Sequence, residues 1–188
     1  MTSDEITRLE ASSLDTIASR GVTVIDGDAP RAASLDPKIW LICAKFNGGV
    51  SARLCHGALD AFENLGIAGT SVNVAWVPGA FELPLAAQRS IADGGAQAVV
   101  CLGAVIRGDT PHFDFVAGEC ASGLQKVNLE TGVPVVFGVL TTETVEQALE
   151  RSVPGPSNKG YEAAITALEM LDVLPQLTAR ARAGWAAR

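Results

Sequence analysis

The chain has 188 residues, a formal net charge of −7, 48% hydrophobic and 19% charged residues, enough for one α/β domain with a substantial core. No basic run is present to neutralise phosphates, which excludes a general nucleic-acid binder, and no apolar run approaches the roughly 20 residues that span a bilayer. Soluble domains usually carry about 25% charge, so the deficit leaves apolar surface to be covered and points to a homo-oligomer.

In chain order, residues 1–37 read as an N-terminal extension, partly ordered or packed on a neighbour. It begins acidic and polar, with no hydrophobic signal core. Its one apolar run, residues 22–25, suits a strand added to a neighbouring sheet or a sticky piece of tail. From residue 38 apolar runs and helical periodicities alternate. Strands are expected over 38–44, 71–77, 97–105 and 133–140, helices over 50–65, 81–92, 111–128, 143–151 and 158–174, and a C-terminal tail over 175–188. Residues 38–174 then form one α/β domain. Its expected form is a three-layer α/β/α sandwich with a central four-stranded parallel sheet, flavodoxin-like.

Cys43, Cys55, Cys101 and Cys120 form no C-x-x-C pair, and there are only two histidines. No metal site is therefore expected, and unpaired cysteines in apolar segments suit a reducing cytoplasm. His56, among small residues in mid-helix, reads as structural.

Parallel sheets bind ligands beyond the carboxyl ends of their strands. The third strand runs into Ile106-Arg107-Gly108-Asp109-Thr110-Pro111-His112. Gly108 suits a tight turn, Thr110 an N-cap and Pro111 the first helical position. The N–H groups and dipole of such a helix start suit a phosphate. They also favour a neutral His112 able to accept a proton. The same residues suit a plain capped helix with a solvated histidine, and the Asp109 carboxylate must turn away if an anion binds.

Other loops hold further candidates. Phe46 could stack on a planar heterocycle with Asn47 supplying amide hydrogen bonds, or be a core ring beside a turn asparagine. Glu82 could accept from sugar-type hydroxyls or merely favour a helix dipole. Arg151 could clamp a phosphate or complement a helix C-terminus. Lys159 could be a second cation or a solvated lysine. No Walker, Rossmann or nucleophile-elbow motif is present.

Read together, Phe46-Asn47, VPGAFELP (77–84), GAVIRGDTPHFDFV (103–116), PVVFGVLTT (134–142), Glu150-Arg151 and Asn158-Lys159-Gly160 resemble the lumazine synthase family, over roughly residues 38–174. The resemblance implies riboflavin biosynthesis. A ribitylamino-pyrimidinedione condenses with a four-carbon dihydroxybutanone phosphate to 6,7-dimethyl-8-ribityllumazine, phosphate and water, with no metal or organic cofactor. It implies that Phe46, Asn47, Ala80, Phe81, Glu82, Val105 and Ile106 hold the pyrimidine and ribityl chain. Gly108, Asp109 and Thr110 would meet the phosphate, with Arg151 as clamp and His112 as base. Phe137 and Lys159 would come from a neighbouring subunit of a pentamer, the minimum unit, with a decamer or icosahedral 60-mer as larger forms. Nucleic acid and membrane are not expected partners. The alternative is a catalytically weak flavin-binding or structural particle on the same scaffold. Residues 152–157 (SVPGPS) and Asp109 depart from the family pattern, in the loop that influences assembly and in the phosphate loop.

Overall fold

The computed structural model describes residues 9–186, with side chains as far as residue 181. Residues 1–8 and 187–188, the outer ends of the expected extension and tail, lie outside the described residues. The described residues divide into two compact units, 27–174 and 9–26 with 175–186.

The larger unit is built on a parallel sheet of β1 (Ile39–Ala44), β2 (Val72–Val77), β3 (Ala98–Ile106) and β4 (Val135–Thr142), in the order β2-β1-β3-β4. Ile39 pairs with Val72 on one side and Ala98 on the other, and Val99 pairs with Val135. Val99, Val100 and Leu102 of β3 are fully buried, as a strand covered on both faces must be. Edge strand β2 leaves Val74 and Trp76 exposed. α3 (Gly48–Asn64), α6 (Val145–Glu150) and the first part of α7 (Lys159–Ala186) cover one face. Here Leu54, Ala58, Phe62, Ala148, Ala164 and Leu168 pack on Leu41, Val100 and Leu102. α4 (Leu83–Ala92) and α5 (His112–Thr131) cover the other through Leu83, Ala87, Cys120 and Leu124. This is the expected three-layer α/β/α architecture. No helix among the described residues is long and apolar enough to cross a membrane.

Three boundaries differ from the sequence expectation for physical reasons. β4 continues to Thr142 because Thr141 and Thr142 pair with Val105 and Ile106, and a β-branched threonine fits a ladder despite its hydroxyl. The helix expected over 81–92 starts as a 3₁₀ turn, Ala80–Glu82, before α4. The compact unit begins at Gly27 rather than at residue 38. Asp28 caps α2 (Ala29–Ala33) by accepting from Arg31 N–H, and the Arg31 guanidinium grips the Asp172 carboxylate with two N–H groups. Ala29, Ala32 and Ala33 are buried as a result.

In the smaller unit, α1 (Ala11–Ala18) precedes residues 22–25, which adopt irregular backbone rather than a strand. Thr23 Oγ1 accepts from Arg180 at 2.9 Å. Where a tail was expected, residues 175–186 continue α7 through Pro175, although proline supplies no N–H to the helical ladder.

Candidate active site

The carboxyl ends of β2, β1 and β3 lie side by side, and the loops leaving them enclose a pocket of about 700 Å³, a size suited to a small-molecule substrate. Beyond β1 the pairing persists for two residues, Lys45 N–H to Val77 O at 2.8 Å and Phe46 N–H to Pro78 O at 3.1 Å. These bonds fix Phe46 beside the Pro78–Gly79 segment. The Phe46 ring is 73% exposed and the Phe81 ring 59% exposed, and both line the pocket. The core-phenylalanine reading of Phe46 therefore falls: this is an aromatic face open to a planar ligand.

Asn47 stands in the left-handed region, φ 55°, which asparagine tolerates better than most residues. Its Nδ2 donates to Ala104 O at 2.8 Å. One amide N–H expected to meet a heterocycle thus ties the β1 loop to β3, leaving the rest of the amide for a ligand. Ala80 is buried in the 3₁₀ turn, and Glu82, exposed, immediately precedes α4 and reaches the same pocket. Val105 and Ile106 line its interior end.

The turn after β3 brings Gly108, Thr110 and His112 to the pocket. Here the capping expectation is corrected. The helix begins at His112 with Pro111 as its cap residue, and neither Thr110 nor any other side chain caps it. The Pro111 backbone (φ −66°, ψ 2°) lies just outside helical geometry, which moves the start one residue on. His112 becomes the first helical residue, exposed at the pocket rim.

Arg107 does not reach into the pocket. Its N–H donates to Thr142 O at 2.9 Å, its Nε lies 2.8 Å from Glu143 Oε2, and Nη2 and Nη1 lie 3.0 and 3.3 Å from the two Asp114 oxygens. Its guanidinium carbon sits 4.1 Å from the Phe113 ring centroid. Hydrogen bonds to Asp114 and then Glu143 hold its pKa above the ordinary arginine value.

Four expected site residues are not part of this pocket. Asp109 is exposed and outside its lining. Phe137 is 41% exposed on β4, the strand farthest from β2. Arg151 follows α6 and donates to Gln147 O at 3.0 Å, and Lys159 pairs with Glu162. Arg151 is thus outside the pocket that His112 lines, and its carbonyl accepts from Lys159 N–H at 2.9 Å. Pro78 and Gly79, in a loop where the sequence places candidate residues, also line the pocket, as do Ala104, Phe113, Phe115 and Val116, to which the sequence assigns no site role. Val116 lies one helical turn beyond His112 and Phe113, a spacing that places it on the same face.

The match to known proteins agrees with this geometry. Residues 36–175 match the family model described as 6,7-dimethyl-8-ribityllumazine synthase. A protein of Protochlamydia amoebophila (strain UWE25) named 6,7-dimethyl-8-ribityllumazine synthase is 50% identical over 141 residues, 75% of this chain and 82% of the relative. The chain belongs to the 6,7-dimethyl-8-ribityllumazine synthase family.

Proposed function

We propose that the chain condenses 5-amino-6-(D-ribitylamino)uracil with 3,4-dihydroxy-2-butanone 4-phosphate to 6,7-dimethyl-8-ribityllumazine, phosphate and water, as an enzyme of riboflavin biosynthesis. The observation that carries this reading is the shared opening of the exposed Phe46 ring and His112 onto one pocket. The pyrimidinedione stacks on Phe46. Asn47, Ala80, Phe81 and Glu82, with Val105 and Ile106 behind, hold the ring and ribityl chain.

The substrates bring their own nucleophile and leaving group. The amine adds to the ketone and loses one water to a Schiff base, a proton and phosphate depart by elimination, the resulting enol tautomerises to a ketone, and the ribitylamino nitrogen closes the ring on that ketone with loss of a second water. The protein supplies proximity, an anion site and a proton shuttle, with His112 as base and Gly108, Asp109 and Thr110 beside the phosphate.

The anion site needs help from outside the chain. Around the turn, Arg107 is held by the Asp114 and Glu143 carboxylates, and the exposed Asp109 adds a third negative charge. A phosphate therefore draws its countercharge from Arg151 and Lys159 of a neighbouring copy, with Phe137 of that copy closing the ring site. Exposed apolar residues towards opposite edges, Val74 and Trp76 on β2 and Phe137 on β4 with Val145 and Leu149 on α6, support a head-to-tail ring, with a pentamer as the smallest unit. The four unpaired thiols support a cytoplasmic location.

A turnover assay with both substrates, followed by lumazine fluorescence, tests the activity. Product well above the uncatalysed background is expected, and its absence would refute the assignment. Native mass measurement tests the assembly, and a monomer with full activity would remove the shared site.

A further inference from the structure

Arg107 lies in the motif next to the turn that meets the phosphate, yet its guanidinium points to two carboxylates and a ring. Asp114 takes Nη1 and Nη2, Glu143 takes Nε, and Phe113 lies against its face. With Thr142 O accepting its backbone N–H, every contact of Arg107 joins the carboxyl end of β3 to one of two neighbours, the start of α5 or the β4–α6 junction. The segment between Arg107 and Asp114 is closed like a buckle, and His112 lies inside it. Three residues of that segment, Gly108, Asp109 and Thr110, are exposed, and no side chain caps the helix that follows. Few other contacts fix the imidazole relative to the pocket.

We infer that Arg107 is a positioning residue for the reaction, setting the His112 turn through its fork to Asp114 and Glu143. The bonds continue beyond Glu143, whose N–H donates to Gln147 Oε1 at 2.9 Å, while Gln147 O accepts from Arg151 at 3.0 Å. The segment bearing the base and the segment bearing Arg151 are thus joined in one chain. A guanidinium is suited to this because its planar donors reach two carboxylates at once, whereas an ammonium is a point charge. Asp114 and Glu143 are about 60% exposed, and exposed ion pairs add little global stability. Loss of Arg107 should therefore disturb the turn and not the fold.

The inference rests on the proposed role of His112, and the test separates the two. In full-length protein, Arg107→Gln should lower kcat by about 10- to 100-fold, the scale of a misplaced catalytic group, with little change in melting temperature. The Michaelis constant for the pyrimidine, held by Phe46 and Phe81, should stay within about twofold on the same argument. Arg107→Lys keeps the charge and should retain most of the defect, whereas Arg89→Gln, breaking an exposed pair with Asp93 remote from the pocket, should change nothing. Adding Asp114→Asn to Arg107→Gln should restore nothing and cost little more, because the pair acts as a unit. Normal kcat in Arg107→Gln or Arg107→Lys overturns the inference. Recovery on adding Asp114→Asn also overturns it, since that would make Arg107 a neutraliser of charge. If wild type makes no product, the proposed function fails and takes this inference with it.

Discussion

The carboxamide of Asn158 occupies the place where a side chain on Gly57 would stand, so α3 and the start of α7 meet backbone to side chain with nothing between. Asn158 Nδ2 donates to Arg53 O at 3.2 Å and Val153 O at 3.0 Å, and its Oδ1 accepts from Gly160 N–H at 2.8 Å. One buried amide thus docks the 152–157 loop and caps α7. A Cβ on Gly160 would in turn run into Leu54 O. Asn158 and Gly160, read from sequence as part of a family motif, are packing devices.

Gly57→Ala is expected to destabilise the fold by about 1–3 kcal/mol, as overpacking does in a tight core. Asn158→Ala should cost a similar amount by leaving buried groups unpaired. Urea unfolding checks both. In the Asn158→Ala background the Gly57→Ala penalty should shrink markedly, because the clash partner is gone. Equal penalties in the two backgrounds would show that the contact does not govern stability here.

Most of the sheet was legible in the chain because its signals are local. Buried runs such as AVVCLGAVI stand out against flanking turns, and Phe46, Phe81 and His112 fall just beyond strand ends, where a parallel sheet puts its ligands. What failed to show depended on pairing across the fold. Thr141 and Thr142 look like loop until their β3 partners are known. That Arg107 is turned from the pocket shows only when Asp114, seven residues on, and Glu143, just beyond β4, are seen to hold it. That Arg151 lies outside the pocket lined by His112 follows from α6 and α5 packing on opposite faces of the sheet, which periodicity does not carry.

Aromatic stacking gives a direct test of the pocket. Phe46→Ala should raise the Michaelis constant for the pyrimidine by about tenfold, since stacking of a heterocycle on an aromatic ring is worth roughly 1–3 kcal/mol. The constant for the phosphate substrate should move much less. Steady-state kinetics with each substrate varied in turn reads the difference, and a larger effect on the phosphate substrate would place the ring elsewhere.

The buried thiols set an alkaline limit. Burial pushes the Cys120 thiol up to about 12 from an ordinary 9.0, and Cys101 is also raised by burial. A folded thiol with a raised pKa keeps its proton while the unfolded one loses it. Its contribution is therefore complete below about pH 9 and lost between there and about pH 12. Cys120 alone should remove about 1 kcal/mol of stability by pH 10. Melting temperatures from pH 8 to 11 should fall less steeply in Cys120→Ala than in wild type, whatever its stability at pH 8. Parallel curves would contradict a buried, protonated Cys120.

Subunit mixing tests whether the site is shared. His112 opens on its own chain's pocket, whereas Arg151 lies beyond β4 and outside it. His112→Ala should lower kcat by about 10² or more, the usual scale for a general base. Arg151→Ala should raise the Michaelis constant for the phosphate substrate far more than for the pyrimidine, as loss of a charge-assisted clamp would. If the site is shared as proposed, each variant alone lacks one half of every site. Unfolded together in equal amounts and refolded into mixed rings, they should regain activity. On the proposed shared site, an intact site takes His112 from one copy and Arg151 from its neighbour, which random placement supplies at about a quarter of the interfaces. If both groups acted within one chain, no mixture could contain an intact site, and the mixed rings would be no more active than the two variants assayed apart.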